Sequence, residues 1–257
     1  MGIINATPDS FSDGGKFNTV ESALARAEQM ASEGVTIIDI GGESTRPGAT
    51  PINSETELTR VLPLVKEISK RFPTLDISID TYKSDVAEQC IDCGATIVND
   101  ISGGMFDNNM LKLASHKDVP IVIMHTTGKP QVMQNNIHYS DVMSEVKNHL
   151  ENRINEARDT GVAKIILDPG IGFGKTFEHN IEIIKEIAQF KSLNCPILIG
   201  VSRKSFLGKV LDLQIEERET ATVITEAFSL INGADIIRTH NTALASQLLT
   251  LYKLLRN

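Results

Sequence analysis

Short β-branched runs recur along the chain, at residues 2–5, 36–40, 76–80, 96–100, 120–124, 164–168, 196–201 and 235–239. Between them lie stretches at 19–33, 55–72, 83–93, 108–116, 140–160, 176–190, 218–232 and 241–256, where apolar residues return every three or four positions. The first pattern predicts strands and the second amphipathic helices. Gly34, Gly94, Gly161 and Gly233 each follow a helical stretch, where a residue that accepts positive φ ends the helix. Asn18 or Thr19 is placed to cap the first helix, and Ser140 the fifth.

Eight strand–helix pairs of about thirty residues each predict parallel strands joined by crossover helices. The strands are apolar at nearly every position, so both of their faces are covered. An open doubly wound sheet would satisfy this alternation, but eight regular repeats favour an α/β fold closed as a single (β/α)8 TIM barrel. No linker or composition shift divides the chain, so one domain spans residues 1–257. Two βα loops are long and polar, residues 7–18 and 41–54. Loops of this length in a compact domain are usually functional. Phe11, an aromatic in the otherwise polar first loop, suggests a lid with something to cover.

In such a barrel the chemistry lies where the strands end. The ends read Asn5, Gly41-Gly42-Glu43, Asp80, Asn99-Asp100, Met124-His125, Asp168, Ser202-Arg203-Lys204 and Arg238-Thr239-His240. Buried charges are costly unless paired, so this convergence implies a shared ligand. Asp80, Asn99 and Asp168 suit a flat heterocycle rich in N–H donors, such as a pterin or guanine edge. Lys204, Arg238 and His240 join Arg46 in a positive cluster, which points to a phosphate-bearing ligand. Asn5 and Asp9 offer hard oxygens suited to Mg²⁺. "DPGIGFGKT" (168–176) misses the spacing of both common nucleotide loops. Its glycines instead bring the backbone close to a ligand that Asp168 binds and Phe173 contacts.

The net charge of −8 and a pI near 5.3 argue against nucleic acid and anionic membrane surfaces as partners. No apolar run has the length of a membrane span and no signal segment precedes the first strand, which predicts a cytoplasmic protein. Of three cysteines, Cys90 and Cys93 lie one turn apart on a predicted helix and Cys195 stands alone. Neither arrangement has the partners of a zinc site.

Eight stretches now carry a resemblance: "NATPDSFSDGG" (5–15), "GGESTRPG" (41–48), "ISIDTYK" (77–83), "IVNDISGG" (97–104), "MHTTGKPQVMQ" (124–134), "LDPGIGFGK" (167–175), "GVSRKSF" (200–206) and "IRTHN" (237–241). Along essentially its whole length the sequence resembles the dihydropteroate synthase family of folate biosynthesis. The resemblance implies a (β/α)8 barrel and a transferase. Its substrates would be (7,8-dihydropterin-6-yl)methyl diphosphate and 4-aminobenzoate, its products 7,8-dihydropteroate and diphosphate. It implies pterin contacts from Asp80, Asn99, Met124, Asp168 and Lys204. Diphosphate contacts would come from Asn5, Thr45, Arg46, Arg238 and His240, with Mg²⁺ on Asn5. The 4-aminobenzoate walls would be Phe11, Pro47, Phe173, Lys204 and Ser205. Asp80, Lys204, Asp9, Arg238 and His240 would carry catalysis. Sulfonamides would enter the aminobenzoate pocket.

A homodimer packed through the later helices is also implied, with Ile224, Phe228, Leu248, Leu251 and Leu255 as candidates for its face. Apolar residues at that spacing are otherwise usually core. Two features depart from the family pattern. The chain starts directly on its first strand, and Thr126 and Thr127 stand where longer side chains are common. Two other readings compete: a methyltetrahydrofolate-dependent methyltransferase of the pterin-barrel type, and a silent paralogue that only binds pterins.

Overall fold

The computed structural model describes residues 1–7 and 19–256. Its strands are β1 (Gly2–Asn5), β2 (Ile37–Gly41), β3 (Asp76–Asp80), β4 (Ile97–Asp100), β5 (Ile121–Met124), β6 (Ile165–Asp168), β7 (Leu198–Ile199) and β8 (Ile236–Ile237). β1 to β6 form one parallel sheet in chain order, and β7 pairs with β8. Parallel bridges Leu167–Ile197 and Gly2–Thr239 join the two sheets at both seams. The sheet therefore closes on itself as a (β/α)8 barrel.

The described helices are α1 (Thr19–Ser32), α2 (Ser54–Arg71), α3 (Ser84–Asp92), α4 (Met110–His116), α5 (Val142–Asp159), α6 (Phe177–Lys185), α7 (Ser205–Leu211), α8 (Glu219–Ile231) and α9 (Thr242–Arg256). The four expected helix-ending glycines all take positive φ. Three expectations need correction. The stretch 176–190 is α6 followed by a 3₁₀ segment, Ile187–Leu193. Ile187, Phe190 and Leu193 are buried at a spacing of three, which aligns them on one face of a 3₁₀ helix. Residues 205–211 form a helix where the sequence suggested none. It is only seven residues long and stops at Asp212, whose φ of 53° is left-handed. Asp141, not Ser140, caps α5 by accepting from the Ser144 amide at 3.0 Å. A side-chain cap of α1 at Asn18 or Thr19 lies outside what is described.

Strand periodicity sorts the side chains into two layers. Ile38, Ile40, Ile77, Ile79, Ile121 and Ile123 face outward and pack with Met30, Val61, Ile68 and Leu150 of the helices. Ile97, Val122, Ile166 and Leu198 face inward with Ile37 and Ile236 and fill the lower barrel. Two residues further along each inward face, Asp39, Asn99, Met124, Asp168 and Arg238 follow. Asn5 and Asp80 lie at the same level through the strand register. The interior thus turns from apolar to polar towards the strand ends. No described helix is long and apolar enough to cross a membrane. Cys90, Cys93 and Cys195 are free thiols.

Candidate active site

The polar end of the barrel is organised by a residue absent from the list of strand ends. Asp39 sits inside β2, fully buried. It receives Arg238 Nε at 2.7 Å and Nη2 at 2.6 Å. The same Nη2 lies 2.7 Å from Asp80 Oδ2. Asn99 Nδ2 donates to both Asp39 oxygens, at 3.3 and 3.2 Å. Because a carboxylate only accepts, this orients the Asn99 amide with Oδ1 available as an acceptor. Asp80 Oδ1 has no hydrogen bond among the described residues, so it also remains an acceptor. Burial pushes the Asp80 carboxyl upward, against the pull of Arg238.

This geometry revises the positive cluster expected from sequence. Arg238 is shared between two acids, which hold its pKa above the usual value despite burial. Its Nη1 group makes no hydrogen bond among the described residues and is the part left for an anion. His240 is not a second cation. Burial, reinforced by Arg238, Arg203, Arg46 and Lys204, pulls it down to about 3. The His240 amide donates to Ser202 Oγ at 3.1 Å, and that hydroxyl lies 2.9 Å from His240 Nδ1. With His240 neutral, the Ser202 hydroxyl is placed to donate to Nδ1, the arrangement that leaves Nε2 as the donating nitrogen.

Asp168 Oδ1 accepts the Gly170 amide at 2.7 Å, and burial raises the pKa of this acid. The loop that follows is held from two sides by lysines. Lys204 Nζ donates to Ile171 O at 2.5 Å and stands 4.4 Å from the centre of the Phe173 ring. Burial lowers Lys204 to about 8, opposed by Asp168. Lys175, which sequence reasoning passed over, is buried beneath the loop. Its Nζ meets His125 Nδ1 at 2.8 Å, Gly170 O at 2.9 Å and Phe173 O at 3.0 Å. These three acceptors match the three protons of an ammonium when His125 is neutral and carries its proton on Nε2. Burial takes His125 to about 2 and Lys175 to about 7. Gly170 has φ 71°, and a Cβ there would sit 1.9 Å from His125 O. That approach needs glycine, as the sequence pattern suggested.

Other strand-end residues separate from the site. Asp100 faces outward and binds the Ser102 and Gly104 amides at 2.8 and 2.7 Å, so it builds a turn. Met124 is buried beside Phe173, Ile101 and Met133 and forms an apolar wall. Thr45 is half-buried, while Arg46 and Pro47 are exposed on the second loop and Ser205 is exposed at the start of α7. Asp9 and Phe11 lie outside the described residues.

Asn5 ends β1 on the rim. Its amide makes no hydrogen bond among the described residues. No group of three or more His, Cys, Asp or Glu side chains is placed to hold a metal there or elsewhere in the described chain. Mg²⁺ usually takes one or two protein oxygens and completes its shell with water and substrate phosphate. One uncommitted amide oxygen fits that pattern. An open groove of about 840 Å³ runs along α2, lined by Leu58, Leu62 and Lys66, and contains none of these groups.

Comparison with known proteins gives the same direction. Residues 1–240 match the model of the family described as pterin binding enzyme. A dihydropteroate synthase of Clostridium beijerinckii is 46% identical over 244 residues, covering 94% of this chain and 88% of that protein. The structure of Xanthomonas albilineans dihydropteroate synthase with 4-aminobenzoic acid superposes with a TM-score of 0.94 at 36% identity, covering 100% of this chain and 92% of the other. The Yersinia pestis dihydropteroate synthase in a sulfonamide drug complex gives 0.94 at 37% identity, with 100% and 93% coverage. With the inward acid–amide set in place and relatives this similar over nearly their full length, the chain belongs to the pterin binding enzyme family, among its dihydropteroate synthases.

Proposed function

We propose that the chain carries out the dihydropteroate synthase reaction of folate biosynthesis, joining (7,8-dihydropterin-6-yl)methyl diphosphate to 4-aminobenzoate. The observation that carries this reading is the arrangement of acceptors at the polar end of the barrel. Asp80 Oδ1, Asn99 Oδ1 and the Asp168 carboxylate face the N–H edge of a pterin. Arg238 Nη1 and His240 Nε2 lie beyond them as donors to the diphosphate. Lys204 and Phe173 form the side on which 4-aminobenzoate would stack, its carboxylate attracted by the ammonium.

Asn5 would hold Mg²⁺ on the diphosphate, where the bound ion supplies charge neutralisation of the leaving group. The chain's own donors, Arg238 and His240, act on the same oxygens. The methylene C–O bond then breaks, its electron pair leaves with diphosphate, and the positive charge spreads into the pterin ring. Asp80, with its carboxylate against that ring, stabilises the cation electrostatically. The aryl amine attacks, a C–N bond forms, and the amine proton leaves with the departing diphosphate. Thr45, Arg46 and Pro47 on the second loop cover both substrates and limit attack by water. The reaction needs no covalent intermediate, and the Ser202–His240 contact at 2.9 Å serves to orient the imidazole. Sulfonamides occupy the 4-aminobenzoate position.

The test mixes purified protein, the pterin diphosphate, 4-aminobenzoate and Mg²⁺. Dihydropteroate and diphosphate should form in equal amounts. A chelator should abolish turnover, and added Mg²⁺ should restore it. Pterin binding without product would support the silent-binder reading instead.

The same reading includes a second copy of the chain. Ile224, Phe228 and Ile231 on α8 are 53%, 57% and 67% exposed; Leu251, Leu254 and Leu255 on α9 are 57%, 70% and 85% exposed. α8 and α9 pack together. An apolar surface of this kind marks an interface. Leu248 differs from the expectation, since it packs against the core. Sedimentation should give twice the 28.1 kDa chain mass; a 28.1 kDa species at micromolar concentration rejects the dimer. A cytoplasmic location is supported by the three free thiols.

A further inference from the structure

We propose that Glu43 is a positioning residue for the second substrate, because its carboxylate ties together both stems of the loop that carries Thr45, Arg46 and Pro47. This rests on the reading of the barrel mouth as a dihydropteroate synthase site.

Glu43 leaves β2 after two glycines and turns inward rather than towards solvent. Its Oε1 accepts from Tyr82 Oη at 2.6 Å. Its Oε2 accepts from Lys83 Nζ at 2.5 Å and from the Ile52 amide at 3.2 Å. One carboxylate thus links the loop's entry at residue 43, its exit at residue 52 and the end of β3. Lys83 Nζ also holds Glu57 Oε2 at 2.5 Å, on the first turns of α2. Beside this cluster Arg60 Nη1 donates to Gly42 O at 2.8 Å, and Asn53 caps α2 through the Thr56 amide at 2.8 Å. The tip has fewer ties, among them the Gly48 amide to Pro130 O at 3.1 Å.

The chemistry of the cluster argues for geometry over stability. One ammonium serves two carboxylates whose side chains are 7% and 1% exposed. Among the described residues Glu57 Oε1 is buried without a hydrogen-bond partner, and burial raises the Glu57 pKa. Buried ion clusters of this kind contribute little net stability compared with apolar packing, yet they specify one arrangement. Here the arrangement specified is the position of both loop stems relative to β3, the strand that ends in Asp80. With the stems fixed, ordering of residues 44–51 over a ligand loses less conformational entropy than ordering the whole loop.

The experiment measures steady-state constants for Glu43→Gln and Tyr82→Phe beside the parent. Glutamine keeps the size and the Tyr82 contact, but it removes the charge and turns an NH₂ towards Lys83 or Ile52. In Glu43→Gln the KM for 4-aminobenzoate should rise about tenfold, while that for the pterin diphosphate changes less than about threefold. The pterin ring is held inside the barrel by Asp80, Asn99 and Asp168, which the loop does not carry. Tyr82→Phe should move the 4-aminobenzoate KM in the same direction by a smaller factor. An unchanged 4-aminobenzoate KM in folded Glu43→Gln overturns the proposal, as does an equal rise of both KM values, which marks general damage. If Glu43→Gln does not fold, Tyr82→Phe decides by the same criterion. Absence of product from the parent enzyme refutes the underlying reaction and the inference with it. Normal parent turnover with unchanged variants refutes the positioning role alone.

Discussion

Replacing Asp80 by asparagine should lower kcat by about a hundredfold or more while leaving the protein at least as stable as the parent. Both halves follow from the same geometry. One oxygen of Asp80 is engaged by Arg238 at 2.7 Å, and the other is held free where the pterin edge would lie. An asparagine can keep its oxygen on Arg238, but its amide group then turns N–H donors towards the N–H donors of the pterin. The negative charge that offsets the developing cation is also lost. Stability moves the other way, because burial disfavours the Asp80 carboxylate and a neutral amide removes that desolvation penalty. The checks are kcat under saturating substrates and thermal unfolding of the free protein. Near-normal kcat would remove Asp80 from the chemistry. A fall in Tm of more than about 5 °C would show that the carboxylate supports the fold.

Arg238→Met should produce the largest loss of stability. The arginine is the cation beside buried Asp39 and Asp80, and its removal leaves both acids in a desolvated interior. Breaking a buried pair in this way typically costs about 3–5 kcal/mol. The effect has a defined pH dependence. Without the guanidinium, the folded-state pKa of Asp80, already raised by burial, moves further up, above that of the unfolded chain. A group raised on folding keeps its stabilising contribution below the unfolded pKa and loses it as pH rises through the folded one. The deficit relative to the parent should therefore be largest near pH 8 and shrink towards pH 5. Urea unfolding of both proteins at the two pH values measures this. A deficit below about 1 kcal/mol at pH 8, or one independent of pH, would mean that Arg238 is not the partner that keeps Asp80 charged.

The two variants also show where reading the chain stops and the fold takes over. Period-two and helical apolar patterns, with glycines after helices, carry the eight strand–helix repeats, because each element's buried face is local information. The positions Asp80, Asn99, Asp168, Lys204, Arg238 and His240 were legible for the same reason: a strand that ends in a polar side chain brings it to one rim of a parallel barrel. Asp39 stands as a lone acid in the apolar run 36–40, and only the folded barrel gives it its partners, Asn99 and Arg238. Arg238 is 199 residues away along the chain. Charge states were decided there too. The sequence counts His240 as a potential cation, whereas the loss of water on burial, reinforced by the Arg238 guanidinium, keeps it neutral. Asn99 and Asp100 look equivalent in "IVND", and strand parity sends one to the pocket and the other to a turn. The joining of Glu43, Lys83 and Glu57, like that of Lys175 and His125, is likewise absent from any local pattern. Local periodicity states which face of an element is buried; which charges meet on that face depends on how distant strands are brought side by side, and at these short distances that contact sets both protonation and shape.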